Sequence, residues 1–153
     1  HLKLVLAGKK ILNGNAEVLN ELERYILKNN LSKSVLMTDY LSNAEISSLY
    51  KKALIYVFPS IEEGFGIPIL EAFAMKIPVV TSNSGAMVEV AQGAAKHYNA
   101  GDYIELFNTL TKLIISKPER TYLIEKGSKR LKDFSREKFI DDYEQLILKS
   151  VKN

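Results

Sequence analysis

Residues 54–72 read LIYVFPSIEEGFGIPILEA. The first five are apolar and favour a buried strand, which Pro59 ends. A loop with two glycines follows, and Pro68 suits the first turn of a helix. A strand, a glycine turn and a helix in this order are typical of a parallel α/β sheet, so the segment predicts that fold class.

The same alternation of strand and helix runs along the rest of the chain. Strands are predicted at residues 2–8, 34–38, 54–58, 78–81 and 95–98. Helices are predicted at 15–29, 42–52, 68–74, 86–90 and 102–115, followed by two that begin after Ser116 and Ser135. Because the strands are short and apolar on both faces, we expect a Rossmann-like parallel sheet with helices on both faces. We assign residues 1–153 to one domain.

Three serines indicate where helices begin. Ser42 with Glu45, and Ser116 with Glu119, have the spacing of a capping box, in which each residue bonds the backbone N–H of the other. Ser135 is predicted to cap the last helix.

Composition excludes several classes of protein. The chain has 153 residues, no cysteine and a net charge of +3, so disulfides and thiolate metal sites are excluded and a nucleic-acid partner is not expected. No apolar run approaches the ~20 residues that span a bilayer. We expect a cytoplasmic protein whose parent contacts the inner face of the membrane. The late basic residues favour a solvated helix face over a membrane-binding role: Lys126, Lys129, Arg130, Lys132, Arg136 and Lys138.

The loop after the third strand carries the chemistry. Gly64 and Gly66 let the backbone approach a ligand closely, and the N–H groups of the following helix favour a phosphate. Glu71 lies about one turn into that helix and is predicted to face the same cleft as Glu63. Carboxylates accept hydrogen bonds from sugar hydroxyls, so amides between two carboxylates suit a sugar joined to a diphosphate.

Simpler interpretations exist for each of these residues. A glycine turn before a helix is more often a tight connection, and two glutamates at this spacing are more often independent surface charges. Phe65, Ile67 and Leu70 are most simply core contacts.

The complete string resembles the C-terminal domain of the group 1 glycosyltransferases, which have two Rossmann-like domains (the GT-B fold) and a Glu-x7-Glu signature. The matching segments are Phe58-Pro59-Ser60, Glu63-Gly64-Phe65-Gly66-Ile67-Pro68, Leu70-Glu71-Ala72, Pro78 to Asn83, Leu4 to Gly8, Val35 to Leu41, Leu49-Tyr50 and Phe134-Ser135. The resemblance therefore covers nearly the whole chain.

The resemblance implies a role for each matching residue. Glu63 would contact the donor sugar and stabilise charge near its anomeric carbon, as the catalytic residue. The amides of Gly64, Phe65 and Gly66 would face the sugar and the diphosphate. The ribose and base would be bound by another set: Glu71, Ile67, Thr38, Asp39 and Tyr40. The sugar would be transferred with retention of configuration, without a metal or other cofactor.

The resemblance also implies parts that precede this sequence. These are an acceptor-binding N-terminal domain, and a strand and helix with an Arg and a Lys that grip the diphosphate. We do not transfer that role to Lys9 and Lys10, which we interpret as solvated loop charges. His1 and His97 are expected to have no catalytic role. Because these parts are not in the sequence, the domain is expected to be truncated at its N-terminal side and to be inactive alone. The missing strand would lie at the middle of the sheet.

The predicted activity is transfer of a sugar from a nucleotide-diphosphate donor to a glycan or lipid-linked acceptor, in polysaccharide or lipopolysaccharide biosynthesis. Two alternatives stay open: a non-catalytic nucleotide-sugar-binding module and a GT-B-fold sugar-nucleotide epimerase. A glycosidase using Glu63 and Glu71 as an acid and nucleophile pair is disfavoured, since these residues should contact different parts of one ligand.

Overall fold

The computed structural model describes residues 2–8 and 16–151. In chain order the elements are β1 (Leu4–Leu6), α1 (Ala16–Lys28), β2 (Val35–Met37), α2 (Asn43–Lys52), β3 (Tyr56–Phe58), α3 (Ile67–Ala74), β4 (Val79–Ser82), α4 (Gly85–Ala91), β5 (Lys96–Tyr98), α5 (Tyr103–Ile115), α6 (Lys117–Arg130), a 3₁₀ helix (Leu131–Phe134) and α7 (Arg136–Val151). Every predicted strand and helix is confirmed, with ends that differ by a few residues. Lys9, Lys10 and His1 lie outside the described residues.

The chain divides into two compact units, His1–Leu49 and Tyr50–Asn153. In the first unit β1 and β2 are parallel, with Leu4 opposite Val35 and Leu6 opposite Met37. In the second unit three parallel strands lie in the order β3-β4-β5. The described strands therefore form two sheets, one in each unit.

The second unit is built around β4, whose four residues are all buried. Successive side chains of a strand point to opposite faces. Val79 accordingly packs in a cluster with residues of α3 and α4, such as Phe73 and Met87. Val80 packs in another cluster, with Leu113 of α5 and Leu123 of α6. The prediction of a parallel sheet covered by helices on both faces is confirmed for this unit.

The predicted capping serines have different outcomes. Both halves of the Ser42 box form: Ser42 N donates to Glu45 Oε2 at 2.9 Å and Glu45 N donates to Ser42 Oγ at 3.4 Å. The Ser42 hydroxyl also donates to Glu45 Oε2 at 2.7 Å, and this bond, together with the one from Ser42 N, lowers the pKa of Glu45. Ser135 caps α7 as predicted, because its Oγ accepts from Lys138 N at 3.1 Å.

The second predicted capping box is only half formed. Ser116 Oγ accepts from Glu119 N at 3.3 Å, but Ser116 N donates to Lys112 O, the last turn of α5. The Glu119 carboxylate instead pairs with Lys96 Nζ at 2.6 Å. Because α5 and α6 are joined by a single residue, that residue must serve both helices, and the reciprocal half of the box was wrongly predicted.

The prediction of a solvated basic face is wrong for Arg130. Its guanidinium donates at 2.9 Å to two backbone oxygens, Val90 O and Glu89 O, at the carboxyl end of α4. It also lies 4.6 Å from the centroid of the Phe134 ring. Arg130 therefore satisfies the last carbonyl groups of one helix from another, which is a structural role. Among the residues described, no helix is both long and apolar enough to cross a membrane.

Gly127 marks the closest packing of α6 on α3. A Cβ built at Gly127 would lie 2.6 Å from Cδ1 of Phe73, well inside van der Waals contact. We expect Gly127→Ala to lower the free energy of unfolding by about 1–3 kcal/mol, the usual cost of overpacking, despite the better helix propensity of alanine. Denaturant unfolding tests this. Ser128→Ala, at the next position of the same helix, is the control, and an unchanged Gly127→Ala midpoint would contradict the prediction.

Candidate functional site

The candidate site is the loop that joins β3 to α3, which begins at Pro59 and ends at Gly66. Hydroxyl groups of the neighbouring strand hold the start of this loop. Thr81 Oγ1 donates to Phe58 O at 3.0 Å, and Ser82 Oγ donates to Ser60 O. The loop therefore leaves the carboxyl edge of the sheet, where parallel α/β sheets bind their ligands.

The two loop glycines have different structural roles. Gly66 is buried and precedes the first residue of α3 with φ +95° and ψ 39°, a left-handed conformation that costs other residues free energy. A Cβ at Gly64 would meet nothing within 4 Å. Gly66 is thus required by the backbone, whereas Gly64 is exposed and leaves the loop surface open.

Four consecutive backbone amides, at the end of the loop and the start of α3, have no protein acceptor among the described residues. Within the described part of the chain, the N–H groups of residues 64–67 donate no hydrogen bond outside or inside the helix. Ile67 begins α3, and the first N–H groups of a helix always lack partners within it. Such a run of amides beside the positive end of a helix dipole can bind an anion.

Glu63 lies in this loop and is exposed. Its Oε1 accepts a hydrogen bond from Ser60 Oγ at 2.7 Å. Hydrogen bonding of one carboxylate oxygen to the loop itself restricts the side chain, while the residue stays accessible to a ligand.

Glu71 lies on α3 and is also exposed. Tyr50 donates its hydroxyl to Glu71 Oε2 at 3.4 Å. Burial raises the pKa of Tyr50, and the nearby Tyr56 and Glu71 raise it further, so Tyr50 keeps the proton that it donates. Burial likewise raises the pKa of Tyr56, and the charges of both Glu71 and Glu63 add to that effect. Glu71 is therefore in contact with the hydroxyl of a half-buried tyrosine.

The interpretation of Phe65 and Ile67 as core residues is wrong. Phe65 is 47% exposed and Ile67 is 60% exposed. Phe65 contacts Phe134 with the two rings perpendicular and their centroids 5.8 Å apart. Leu70, the third residue predicted to lie in the core, is half-buried and packs against the Phe73 cluster. The loop thus presents two apolar side chains to solvent beside the free amides.

Three predicted site residues belong to the first unit. Thr38 follows β2 and donates from its backbone N–H to Leu6 O at 3.0 Å. Asp39 Oδ1 accepts from Tyr40 N at 2.9 Å, and Tyr40 is highly exposed. They occupy the carboxyl end of the β1–β2 sheet, and their role beside a base stays a prediction.

Several polar residues near the strand ends had no predicted role in the site. Tyr50, Ser82 and Asn83 lie in segments that resemble the family, but no function was assigned to them. A second group links the ends of β4 and β5: Asn83 Nδ2 donates to Asn99 Oδ1 at 2.6 Å, and Asn99 Nδ2 donates to Glu105 Oε2 at 2.8 Å. Polar residues directly after a buried strand were the available signal, since the carboxyl ends of parallel strands share one edge.

Within the described residues, the arrangement offers a run of free amides of the kind that suits an anion, with one exposed carboxylate before it and one after it in the chain. A shallow depression on α6, lined by residues 117–125, lies on another element and shares no residue with the loop. Because Glu63, Phe65 and Ile67 are all exposed, the site is an open surface of the second unit.

Comparison with known proteins gives the family. The model "Glycosyl transferases group 1" matches residues 1–130. The O-antigen chain mannosyltransferase RfbU of Salmonella typhimurium is 35% identical over 92 residues, which are 60% of this chain and 26% of that protein. An MMP alpha-(1->4)-mannosyltransferase of Mycolicibacterium hassiacum is 32% identical over 111 residues, 71% of this chain and 27% of that protein. The chain thus spans about a quarter of the length of these relatives.

Solved structures agree with the fold. The C-terminal domain of LpcC, a group 1 glycosyl transferase family protein of Francisella tularensis, matches with a TM-score of 0.76 and 25% identity, over 85% of this chain and 68% of that one. Anabaena HepE, solved in complex with UDP, matches with a TM-score of 0.82 and 21% identity, over 97% of this chain and 41% of that one. The family match covers most of the sequence, and the chain belongs to the group 1 glycosyl transferases.

Proposed function

We propose that this chain is the donor-binding domain of a retaining glycosyltransferase that uses a nucleotide-diphosphate sugar. One observation carries the proposal: among the described residues the amides of residues 64–67 have no protein acceptor, and they lead into the N-terminus of α3 with exposed Glu63 before them and exposed Glu71 after them in the chain. The amides are suited to the diphosphate and the carboxylates to the hydroxyl groups on either side of it. No metal or other cofactor is part of the proposal.

The diphosphate would be bound by the loop backbone and the N-terminus of α3. Negative charge increases on the departing diphosphate as the sugar leaves, and fixed N–H dipoles stabilise that charge without reorganising. Gly64 and Gly66 keep side chains away from this surface, and the exposed Ile67 would contact the ribose or base.

Each carboxylate would recognise a different sugar. Glu63 would accept hydrogen bonds from the donor sugar and stabilise positive charge at its anomeric carbon. Glu71 would accept from the ribose hydroxyls, with Tyr50 holding its other side through the 3.4 Å contact. The domain would orient the donor so that an acceptor attacks with retention of configuration, mainly through proximity and electrostatic stabilisation.

The acceptor and the pathway are proposed from the relatives. RfbU is named as an O-antigen chain mannosyltransferase, and a second relative, of Escherichia coli, carries the name O-antigen chain mannosyltransferase B. We therefore propose a glycan or lipid-linked acceptor in surface polysaccharide or lipopolysaccharide synthesis, and mannose as the first donor sugar to test. The acceptor would bind to a separate domain of the complete enzyme.

Glu71→Ala tests the nucleotide site. Thermal shifts are measured with UDP, GDP and ADP and with their sugar conjugates, mannose included. For the wild type at about 100 times the dissociation constant of the correct nucleotide, we expect a stabilisation of ~2.7 kcal/mol. Glu71→Ala should lower the affinity for that nucleotide by about 10- to 100-fold, because a charged acceptor for the ribose hydroxyls is lost.

Glu62→Ala is the matched control, since it removes the same charge from the loop that precedes α3, at a residue with no assigned contact. It should retain the shift of the wild type. Equal loss of affinity in both variants would reduce the role of Glu71 to general charge, and the absence of a shift with every nucleotide in the folded protein would contradict the proposed function.

A further inference from the structure

A chain of hydrogen bonds connects Glu63 to the buried centre of the sheet. We propose that Ser82 is a positioning residue, which fixes the carboxylate of Glu63 through Ser60. This inference rests on the proposed function, because it takes Glu63 to be the residue that contacts the donor sugar.

The first link is Ser60, which is engaged at both its side chain and its backbone. Ser60 Oγ donates to Glu63 Oε1 at 2.7 Å, and Ser60 O accepts from Ser82 Oγ. The position of the Ser60 main chain therefore sets the position from which its hydroxyl reaches Glu63. Within the described residues Glu63 Oε2 has no protein partner, so it is available to a sugar hydroxyl.

The second link is the rigidity of Ser82 itself. Ser82 is 0% exposed and ends β4, the central strand of its sheet. Its carbonyl oxygen lies 3.3 Å from Nδ1 of His97 on β5. Because a carbonyl only accepts, the ring nitrogen is the donor in that contact. Ser82 is therefore held from β5 on one side while its hydroxyl holds the β3 loop on the other.

The consequence for the reaction is preorganisation. A glutamate side chain has three rotatable bonds, and one fixed before the donor arrives need not be ordered during binding. A carboxylate that is already placed also stabilises developing charge without moving. Loss of the Ser82 hydroxyl should release the main chain at Ser60 and let the Glu63 carboxylate move out of contact with the sugar. The amides of residues 64–67 should still bind the diphosphate.

Binding constants for two ligands separate positioning from simple structural support. With the full chain, we measure the dissociation constants of the preferred sugar nucleotide and of the matching free nucleotide by calorimetry. Ser82→Ala should lower the affinity for the sugar nucleotide by about 5- to 10-fold and the affinity for the free nucleotide by less than about twofold. An effect of this size is usual for residues that interact through one hydrogen-bond network. In the Glu63→Ala background, Ser82→Ala should have no further effect on either ligand.

Two further variants keep the test decisive. Ser60→Ala removes the middle hydroxyl without touching the buried strand, so it should reproduce the selective effect if Ser82→Ala fails to fold. Ser128→Ala removes a comparable bond, from Ser128 Oγ to Ile124 O at 2.9 Å on α6, and should change neither constant.

The outcomes for the two proposals are distinct. If Glu63→Ala weakens both ligands equally, or neither, the assigned role of Glu63 in the proposed function is wrong. If Glu63→Ala is selective for the sugar nucleotide but the effects of Ser82→Ala and Glu63→Ala simply add, the positioning role of Ser82 is overturned. Equal weakening of both ligands by Ser82→Ala overturns it as well.

Discussion

Glu63→Gln should lower kcat of the complete enzyme by about 100- to 1,000-fold, the usual effect of removing one group that stabilises charge in a transition state. Glutamine keeps the size of the side chain and its bond to Ser60 but removes the negative charge that opposes positive charge at the anomeric carbon. Affinity for the free nucleotide should change by less than about twofold, because the amides and Glu71 are intact. Rates of sugar transfer to the acceptor and nucleotide titrations measure the two quantities.

Glu62→Gln is the control for this prediction, because it changes charge by the same amount at the preceding residue. Its kcat should stay close to that of the wild type. A Glu63→Gln enzyme with normal kcat and a raised KM would show that Glu63 binds the donor equally in the ground and transition states.

The elements of the fold were predictable because their signals are local. An apolar run of five residues ended by Pro59 predicts β3, the two valines after Pro78 predict β4, and serine caps predict where α2 and α7 begin. Only one half of the capping box at Ser116 formed, for a reason outside that pattern. The backbone N–H of Ser116 was already bonded to α5, and Glu119 was paired with Lys96 of β5. The spacing of two residues in the sequence does not show which other groups compete for the same hydrogen bonds.

The site was predicted in part for the same reason. The glycine loop, Glu63 and Glu71 are close in sequence and could be identified together. The bonds that organise them join distant residues: Ser82 to Ser60 across 22 positions and Tyr50 to Glu71 across 21. Arg130 reaches Val90 across 40 positions, which is why it could not be distinguished from its solvated neighbours.

Phe65 and Ile67 show the opposite error, in which an apolar residue type was taken to mean burial. Folded proteins expose much apolar surface, and single exposed hydrophobic residues carry little information. Here the left-handed Gly66 turns the chain between Phe65 and Ile67, and both side chains stay exposed while Ile69, two residues later, is fully buried. The buried face of α3 therefore begins at Ile69 and does not include Ile67, the first residue of the helix.

Phe73→Ala is expected to lower the free energy of unfolding by about 3–5 kcal/mol, a large part of the ~5–15 kcal/mol typical of a domain. Phe73 is 2% exposed and packs with residues of β4 and α4 in the cluster that supports α3. Phe107→Ala, which removes the same ring from an exposed position on α5, should cost less than about 1 kcal/mol. Thermal unfolding should separate the two variants by roughly 10 °C.

A double substitution shows whether the loss comes from the predicted contact. Because Phe73 Cδ1 lies 2.6 Å from a Cβ built at Gly127, removal of the ring relieves the clash that Gly127→Ala creates, and the added methyl enters the cavity. Phe73→Ala with Gly127→Ala should therefore be more stable than the sum of the two single changes implies, by about 1 kcal/mol or more. Strict additivity would mean that α6 moves away from α3 to accept alanine, and that the close approach at Gly127 does not constrain the helix that carries Glu71.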